Sequence, residues 1–268
     1  MQMLAAGFLL VIVIGGILLW LPVCNQEPIA FTDALFTSTS AVCVTGLMTV
    51  VPATQFTLLG KVVLLVLIQI GGLGVVAVST FFLVVIGRKI TVKERVMIQE
   101  TYNMESLSGM VKWILRILKG TFVVEGIGAI FFAFQFIPEY GFLKGIWYSV
   151  FHSISAFCNA GIDILGADSF AAYARNPLIN LTTMILIVAG GIGYTVWFDI
   201  TDNIRNFRKK GERRRGMFKI LTLNSKVALT MTAILIVTGT VSFLFLEFSN
   251  PDTLCLLYTS PSPRDRSL

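Results

Sequence analysis

From Val62 to Gly87 the chain runs for 26 residues without one charged side chain, VVLLVLIQIGGLGVVAVSTFFLVVIG. A bilayer imposes such a stretch, because about 20 helical residues are needed to cross a hydrocarbon core roughly 30 Å thick. Including this one as Phe56–Gly87, five stretches are long and apolar enough to span; the others are roughly Leu4–Val23, Ile117–Pro138, Leu178–Phe198 and Val227–Phe248. Hydrophobic residues make up 55% of the chain and charged residues 13%, with a mean hydropathy of +0.81. These values exclude an ordinary soluble enzyme, a disordered chain and a nucleic-acid binder. The expected fold class is an all-α membrane protein.

The net charge of +6 has to be read by position. Of 21 Lys and Arg, seven fall in Arg88–Lys119 and nine in Arg205–Lys226. Basic residues gathered in two connecting loops are the positive-inside pattern, which places loops 88–116 and 199–226 of a multi-pass membrane protein in the cytoplasm. RNFRKKGERRRG (Arg205–Gly216) reads first as a topology signal attracted to anionic lipid head groups. The external connections are then Cys24–Gln55 and Glu139–Pro177. The four cysteines, Cys24, Cys43, Cys158 and Cys255, form no CxxC pair and read as free thiols.

Each external connection holds a moderately apolar stretch, FTDALFTSTSAV at Phe31–Val42 and KGIWYSVFHSISAF at Lys144–Phe157. Twelve helical residues reach only about 18 Å, too short to span. Each stretch is either a helix lying on the outer surface or a re-entrant helix buried in protein, which is where irregular backbone is permitted at membrane depth.

An internal repeat favours the second reading. SAVCVTGL (Ser40–Leu47) matches SAFCNAGI (Ser155–Ile162) at an offset of 115, and LIQIGGLG (Leu67–Gly74) matches LIVAGGIG (Leu186–Gly193) at 119. A helix–half-helix–loop–helix unit is used twice and begins a third time. Residues 1–87 form the first unit and 88–116 a basic linker. Residues 117–198 form the second unit, 199–226 a second linker, and 227–254 the opening helix of a third. Surface helices have no reason to end twice in S-A-x-C-x-x-G. Loops presenting backbone carbonyls at a common axis do, with Gly46 and Gly161 supplying backbone freedom. The C-terminal ends of the half-helices carry partial negative charge, which favours a cation, and carbonyls can replace its water shell without a charged side chain.

DALFTSTSAVCVTGL and LIQIGGLG resemble the Trk/Ktr/HKT family of potassium transporters, the Ktr membrane subunits in particular, over residues 1 to about 254. The resemblance implies potassium uptake through four such units around one pore, of which this chain holds two. It implies that Val42, Cys43, Val44, Thr45 and Gly46, with Phe157, Cys158, Asn159, Ala160 and Gly161, form two quarters of a selectivity filter. K+ would be held there by the carbonyls of Val44, Thr45, Asn159 and Ala160. Some plant relatives carry Ser at the first filter glycine and favour sodium; Gly46 therefore implies potassium, with sodium-coupled or less selective transport as the alternative. Further implications are a homodimer of the intact protein, a cytosolic nucleotide-binding regulatory ring docked on the basic loops, and no cofactor besides the transported ion. The tail CLLYTSPSPRDRSL (255–268) matches the translation of a transposase sequencing adapter and is set aside from fold reasoning. With two filter loops, this chain is not expected to conduct alone.

Several residues carry a structural reading beside the functional one. Asp33 would cap the first half-helix or attract cations at the pore mouth. Asp163 would sit in the outer vestibule or in a solvated loop. Glu125, an intramembrane acid, would pair with Lys119 or the loop cations, or line the ion path. His152 would be packed in a core. The Gly71/Gly72/Gly74 and Gly190/Gly191/Gly193 clusters would mark close helix packing, with a gating hinge as the minor reading. A lipid-modifying membrane enzyme would need clustered acids or histidines outside; Glu27, Asp33, Glu139, Asp163, Asp168 and His152 form no paired-acid motif.

Overall fold

The computed structural model describes residues 2–74, 77–78, 110–210 and 220–248. Every regular element among them is helical. The chain divides into two compact units, Met1–Gly191 and Ile192–Leu268.

In the first unit, α1 (Gln2–Trp20) is apolar on every face, and Leu9, Leu10 and Ile14 stay exposed, as in a helix surrounded by lipid tails. It stops where Pro22 forbids continuation. There Asn25 Nδ2 donates to the Leu19 and Leu21 carbonyls (2.6 and 3.0 Å), satisfying the helix end. Helix α2 (Phe31–Val42) is followed by the single turn α3 (Pro52–Gln55) and by α4 (Leu58–Leu73), whose Thr57 N-cap accepts from the Gly60 amide. After residues outside the description come α5 (Met110–Tyr140), α6 (Phe142–Phe157) and α7 (Pro177–Gly191). At 1.5 Å per residue the 31 residues of α5 reach about 46 Å. Lys112–Tyr140 of this helix is long and apolar enough to cross a membrane, as is Leu223–Glu247. The chain is an integral membrane protein.

The half-helices are not surface elements. α2 packs between α1 and α4, α6 packs against α5 and α7, and α6 also touches α4. Their hydroxyls point into protein: Thr37, Ser38, Ser40, Ser149, Ser153 and Ser155 are all buried. The repeat is a repeat of contacts. Ser38 Oγ donates to the Ile12 carbonyl (2.8 Å) and Ser153 Oγ to the Glu125 carbonyl (2.6 Å). Gly15 leaves room for Ser38 and Leu67, and Gly128 leaves the same room for Ser153 and Leu186.

Several boundaries differ from the sequence reading. The second half-helix starts at Phe142 instead of Lys144, because Gly141, at φ +81°, ends α5 and turns the chain. α5 already begins at Met110, inside the basic linker expected over 88–116. The span expected as Phe56–Gly87 is interrupted after Leu73 by Gly74 at φ +83°. The span expected as Leu178–Phe198 stops at Gly191, with Gly193 at φ +93°. Both breaks fall at the last glycine of the repeated strings, where positive φ removes the residue from the right-handed helix. Arg88, the tail 255–268 and most of the first basic linker lie outside the described residues.

In the second unit, α8 (Tyr194–Lys210) occupies the first part of the linker expected over 199–226, and α9 (Leu223–Glu247) the third-unit helix. Thr222 caps α9 by accepting from the Ser225 amide, while its hydroxyl and amide both donate to Asp199 Oδ2 (2.8 Å each). Asp199 thereby ties α8 to the start of α9. Thr222→Ala is expected to cost about 1 kcal/mol, and Asp199→Asn to lower thermal stability in the same direction. A thermal-unfolding series on the two single variants and the double variant checks this: a shared network gives a double-variant loss smaller than the sum.

Candidate functional site

The two loops following α2 and α6 share one backbone course. Each half-helix ends in a buried apolar residue, Val42 or Phe157, with a cysteine at the C-cap. Cys43 N–H donates to the Thr39 carbonyl (2.8 Å) and Cys158 N–H to that of Ile154 (2.9 Å). Two positions later the chain turns back on the helix end: Thr45 N–H donates to the Ser40 carbonyl (2.9 Å) and Ala160 N–H to the Ser155 carbonyl (2.8 Å). A trans peptide holds N–H and C=O antiparallel. With those two amides facing their half-helices, the carbonyls of Val44 and Asn159 must face the opposite way.

Backbone hand alternates in step. Val44 and Asn159 are two of three non-glycine residues with positive φ among the described residues (+56° and +59°), and Gly46 (+77°) and Gly161 (+67°) follow two residues on. Asparagine tolerates this conformation, whereas the β-branched valine adopts it only under strain held by the surrounding structure. Finding it twice at one offset marks a built feature.

The serines at the repeated S-A step hold both loops through different partners. Ser40 Oγ accepts from Thr45 Oγ1 (2.9 Å). Ser155 Oγ donates to the Ile162 carbonyl (2.5 Å) and accepts its amide (3.2 Å). The loops also meet: a Cβ on Gly46 would lie 2.7 Å from the Ala160 carbonyl oxygen and 3.4 Å from Gly161 Cα. Thr45 and Cys43 are exposed, whereas Ala160 and Cys158 are buried, and Asn159 Nδ2 donates to the Ile187 carbonyl (3.3 Å). The ten residues contain no carboxylate, amine or imidazole. Polar main-chain oxygens, backed by the negative ends of two helices, are what this site offers a ligand, and they suit a cation.

Three of the cluster glycines pack against these loops. A Cβ on Gly71 would collide with the Val42 carbonyl oxygen and one on Gly190 with that of Phe157; Gly72 lies against the Cys158 side chain. Close packing is the role of these three, whereas Gly74 and Gly193 turn the chain at positive φ.

Other candidates behave differently from expectation. Asp33 lies in the first turn of α2, but the N-cap is Ala30 and makes no side-chain capping bond, so its contribution there is its charge beside free N–H groups. Asp163 accepts from the Leu165 amide (3.1 Å), a local turn. Glu125 does not pair with Lys119: it is buried, and Gln69 Nε2 donates to both its oxygens (3.0 and 3.3 Å), while Lys119 is exposed. His152 is packed among Phe136, Phe151 and Phe170, with Nδ1 2.6 Å from the Tyr148 carbonyl. In the loop between α6 and α7, burial, then hydrogen bonds with Tyr140 and Glu139, push the Tyr173 hydroxyl well above the ordinary tyrosine range. Among the described residues no three His, Cys, Asp or Glu side chains cluster as metal ligands. Sequence reading missed Gln69 and the Ser40/Ser155 locks; the repeated S-x-S before each cysteine was the available signal.

Two helix–half-helix–loop–helix units, each burying its half-helix in protein, define a class of polytopic membrane protein built from repeats. The chain belongs to the TrkH family, described as cation transport protein, whose sequence profile matches residues 1–259. It is 43% identical over 248 residues to the potassium/sodium uptake protein NtpJ of Enterococcus hirae, covering 92% of this chain and 52% of the relative. It is 39% identical over 253 residues to Ktr system potassium uptake protein B of Bacillus subtilis (94% and 54%) and 36% identical over 258 residues to that of Vibrio alginolyticus (96% and 54%). The chain spans about half the length of these relatives. Family membership points away from an enzyme.

Proposed function

We propose that this chain contributes half of the pore of a bacterial potassium uptake protein, with Val42–Gly46 and Phe157–Gly161 as two of four filter segments. The observation that carries the reading is the matched backbone geometry. In both loops the amide two residues past the cysteine-ended helix is withdrawn into protein, and the preceding carbonyl is turned outward. Carbonyls of Val44, Thr45, Asn159 and Ala160 replace the hydration shell of a K+ ion, with the half-helix dipoles adding to the field. The Ktr relatives, named as potassium uptake proteins, support the choice of ion.

The protein lies in the plasma membrane with loops 88–116 and 199–226 in the cytoplasm, where 15 of its 21 Lys and Arg are found. The intact protein is a homodimer that docks a cytosolic nucleotide-binding ring on those loops, consistent with relatives named as members of a Ktr system. A second reading, sodium-coupled or less selective cation transport by the same pore, is favoured by the relative named for potassium and sodium uptake.

The test is growth of a potassium-transport-deficient strain on low potassium, carrying the full-length gene. Rescue is expected, and Gly46→Asp or Gly161→Asp is expected to abolish it. Undiminished uptake in both variants removes the filter assignment. Growth that depends on added sodium selects the second reading.

A further inference from the structure

The two repeats share their serine-to-carbonyl contact between half-helix and first helix, but the residues around that contact differ in chemistry. The carbonyl that accepts the pore-helix serine belongs to Ile12 in the first repeat and to Glu125 in the second. The residue facing Glu125 from α4 is Gln69, whose counterpart at the repeat offset of 119 is Val188. Both polar residues therefore stand where the other repeat is apolar. Glu125 is 4% exposed. Its hydrogen-bond partners among the described residues are Gln69, through Nε2, and Cys158, whose Sγ approaches Oε1 to 4.0 Å. No cationic side chain pairs with it there.

Burying an ionised acid without a counter-charge is costly, and this cluster is poorly made for stability alone. Gln69 Oε1 and Thr121 Oγ1, the latter one turn before Glu125 on α5, are buried with no hydrogen-bond partner among the described residues. Polar groups kept only to hold a fold are normally satisfied. The placement supplies another reason: Cys158 belongs to the second filter loop, and its side chain lies between Glu125 and α4, with Sγ and Cβ against Gly72. The acid thus sits immediately behind a loop that turns its carbonyls toward a cation.

We propose that Glu125 determines ion affinity: its carboxylate, held by Gln69 beside Cys158, is the counter-charge that a monovalent cation at the second filter loop stabilises and that in turn favours the cation there. The inference rests on the transport reading given above. The ion in the loop compensates the charge that no side chain compensates, and by linkage the charge strengthens binding of the ion. Glu125 touches no ion itself; it acts through field and position.

Uptake kinetics of the full-length protein test this. Glu125→Gln keeps the shape and the bond to Gln69 while removing the charge. It is expected to raise KM for K+ on the order of tenfold with kcat within about twofold, the signature of lost ion binding. The exchange Q69E/E125Q returns the charge to the facing helix and is expected to recover most of the affinity. E125D is expected to stay near the wild-type KM. An unchanged KM in E125Q overturns the proposal. Should E125Q fail to accumulate, a KM raised about tenfold in the charge-keeping E125D or Q69E/E125Q overturns it equally. Failure of the wild type to import K+ rejects the transport reading instead, and the wild-type arm reports that separately.

Discussion

Gly190→Ala and Gly71→Ala are each expected to abolish potassium uptake by the full-length protein and to lower its thermal stability. A methyl group on Gly190 lands on the Phe157 carbonyl oxygen, and one on Gly71 lands on that of Val42. Both obstacles are main-chain atoms at the end of a half-helix, so no rotamer change relieves them. Overpacking of this kind costs about 1–3 kcal/mol even where side chains can adjust. Here the loop must move as a whole. Gly126→Ala supplies the contrast. It lies in the same membrane helix as Glu125, but nothing stands within 4 Å of its added Cβ. Alanine is favoured over glycine in an open helix interior by about 0.5–1 kcal/mol, so this variant is expected to keep uptake and to gain slightly in stability. Thermal unfolding in detergent and uptake in cells read both effects. Wild-type stability and uptake in Gly190→Ala would show that the loop is not held against α7.

Alanine at the two loop glycines is expected to be unequally harmful. Both positions hold positive φ, so either substitution pays a strain of about 1–2 kcal/mol. Only Gly46 also meets an obstacle, the Ala160 carbonyl oxygen 2.7 Å from the added Cβ; the nearest atom to Gly161 is 3.6 Å away. Gly46→Ala pushes on a carbonyl assigned to the ion and is expected to cut uptake at least about tenfold and weaken discrimination against sodium. Gly161→Ala is expected to lose less and keep its selectivity. Rubidium uptake with competing sodium ranks the pair. Equal losses, or a larger loss at Gly161, would mean that the two loops do not touch in the working protein.

Much of this was legible in the chain because the signals are local. The C-terminal boundaries of both half-helices, at Val42 and Phe157, follow from where the apolar pattern meets the Cys-x-x-Gly string. The buried setting of the half-helices followed from that string occurring twice. The breaks at Gly74 and Gly193 were harder to see. Both lie inside apolar runs, where length and hydropathy favour a continuous helix, and only the positive φ of the glycines ends it.

The sequence by itself determined that the chain is helical, lies in a membrane and repeats a unit bearing a glycine-ended loop. Apolar length, helix period and identical strings at a fixed offset are properties of neighbours along the chain, and they survive without any knowledge of what packs where. Tertiary structure alone decided that Gly190 serves Phe157, that Ser155 locks Ile162, and that Glu125 faces Gln69 instead of Lys119. The Glu125 contact joins residues 56 positions apart. Its geometry depends on how two helices rotate about their axes, and no local pattern of polarity fixes that rotation.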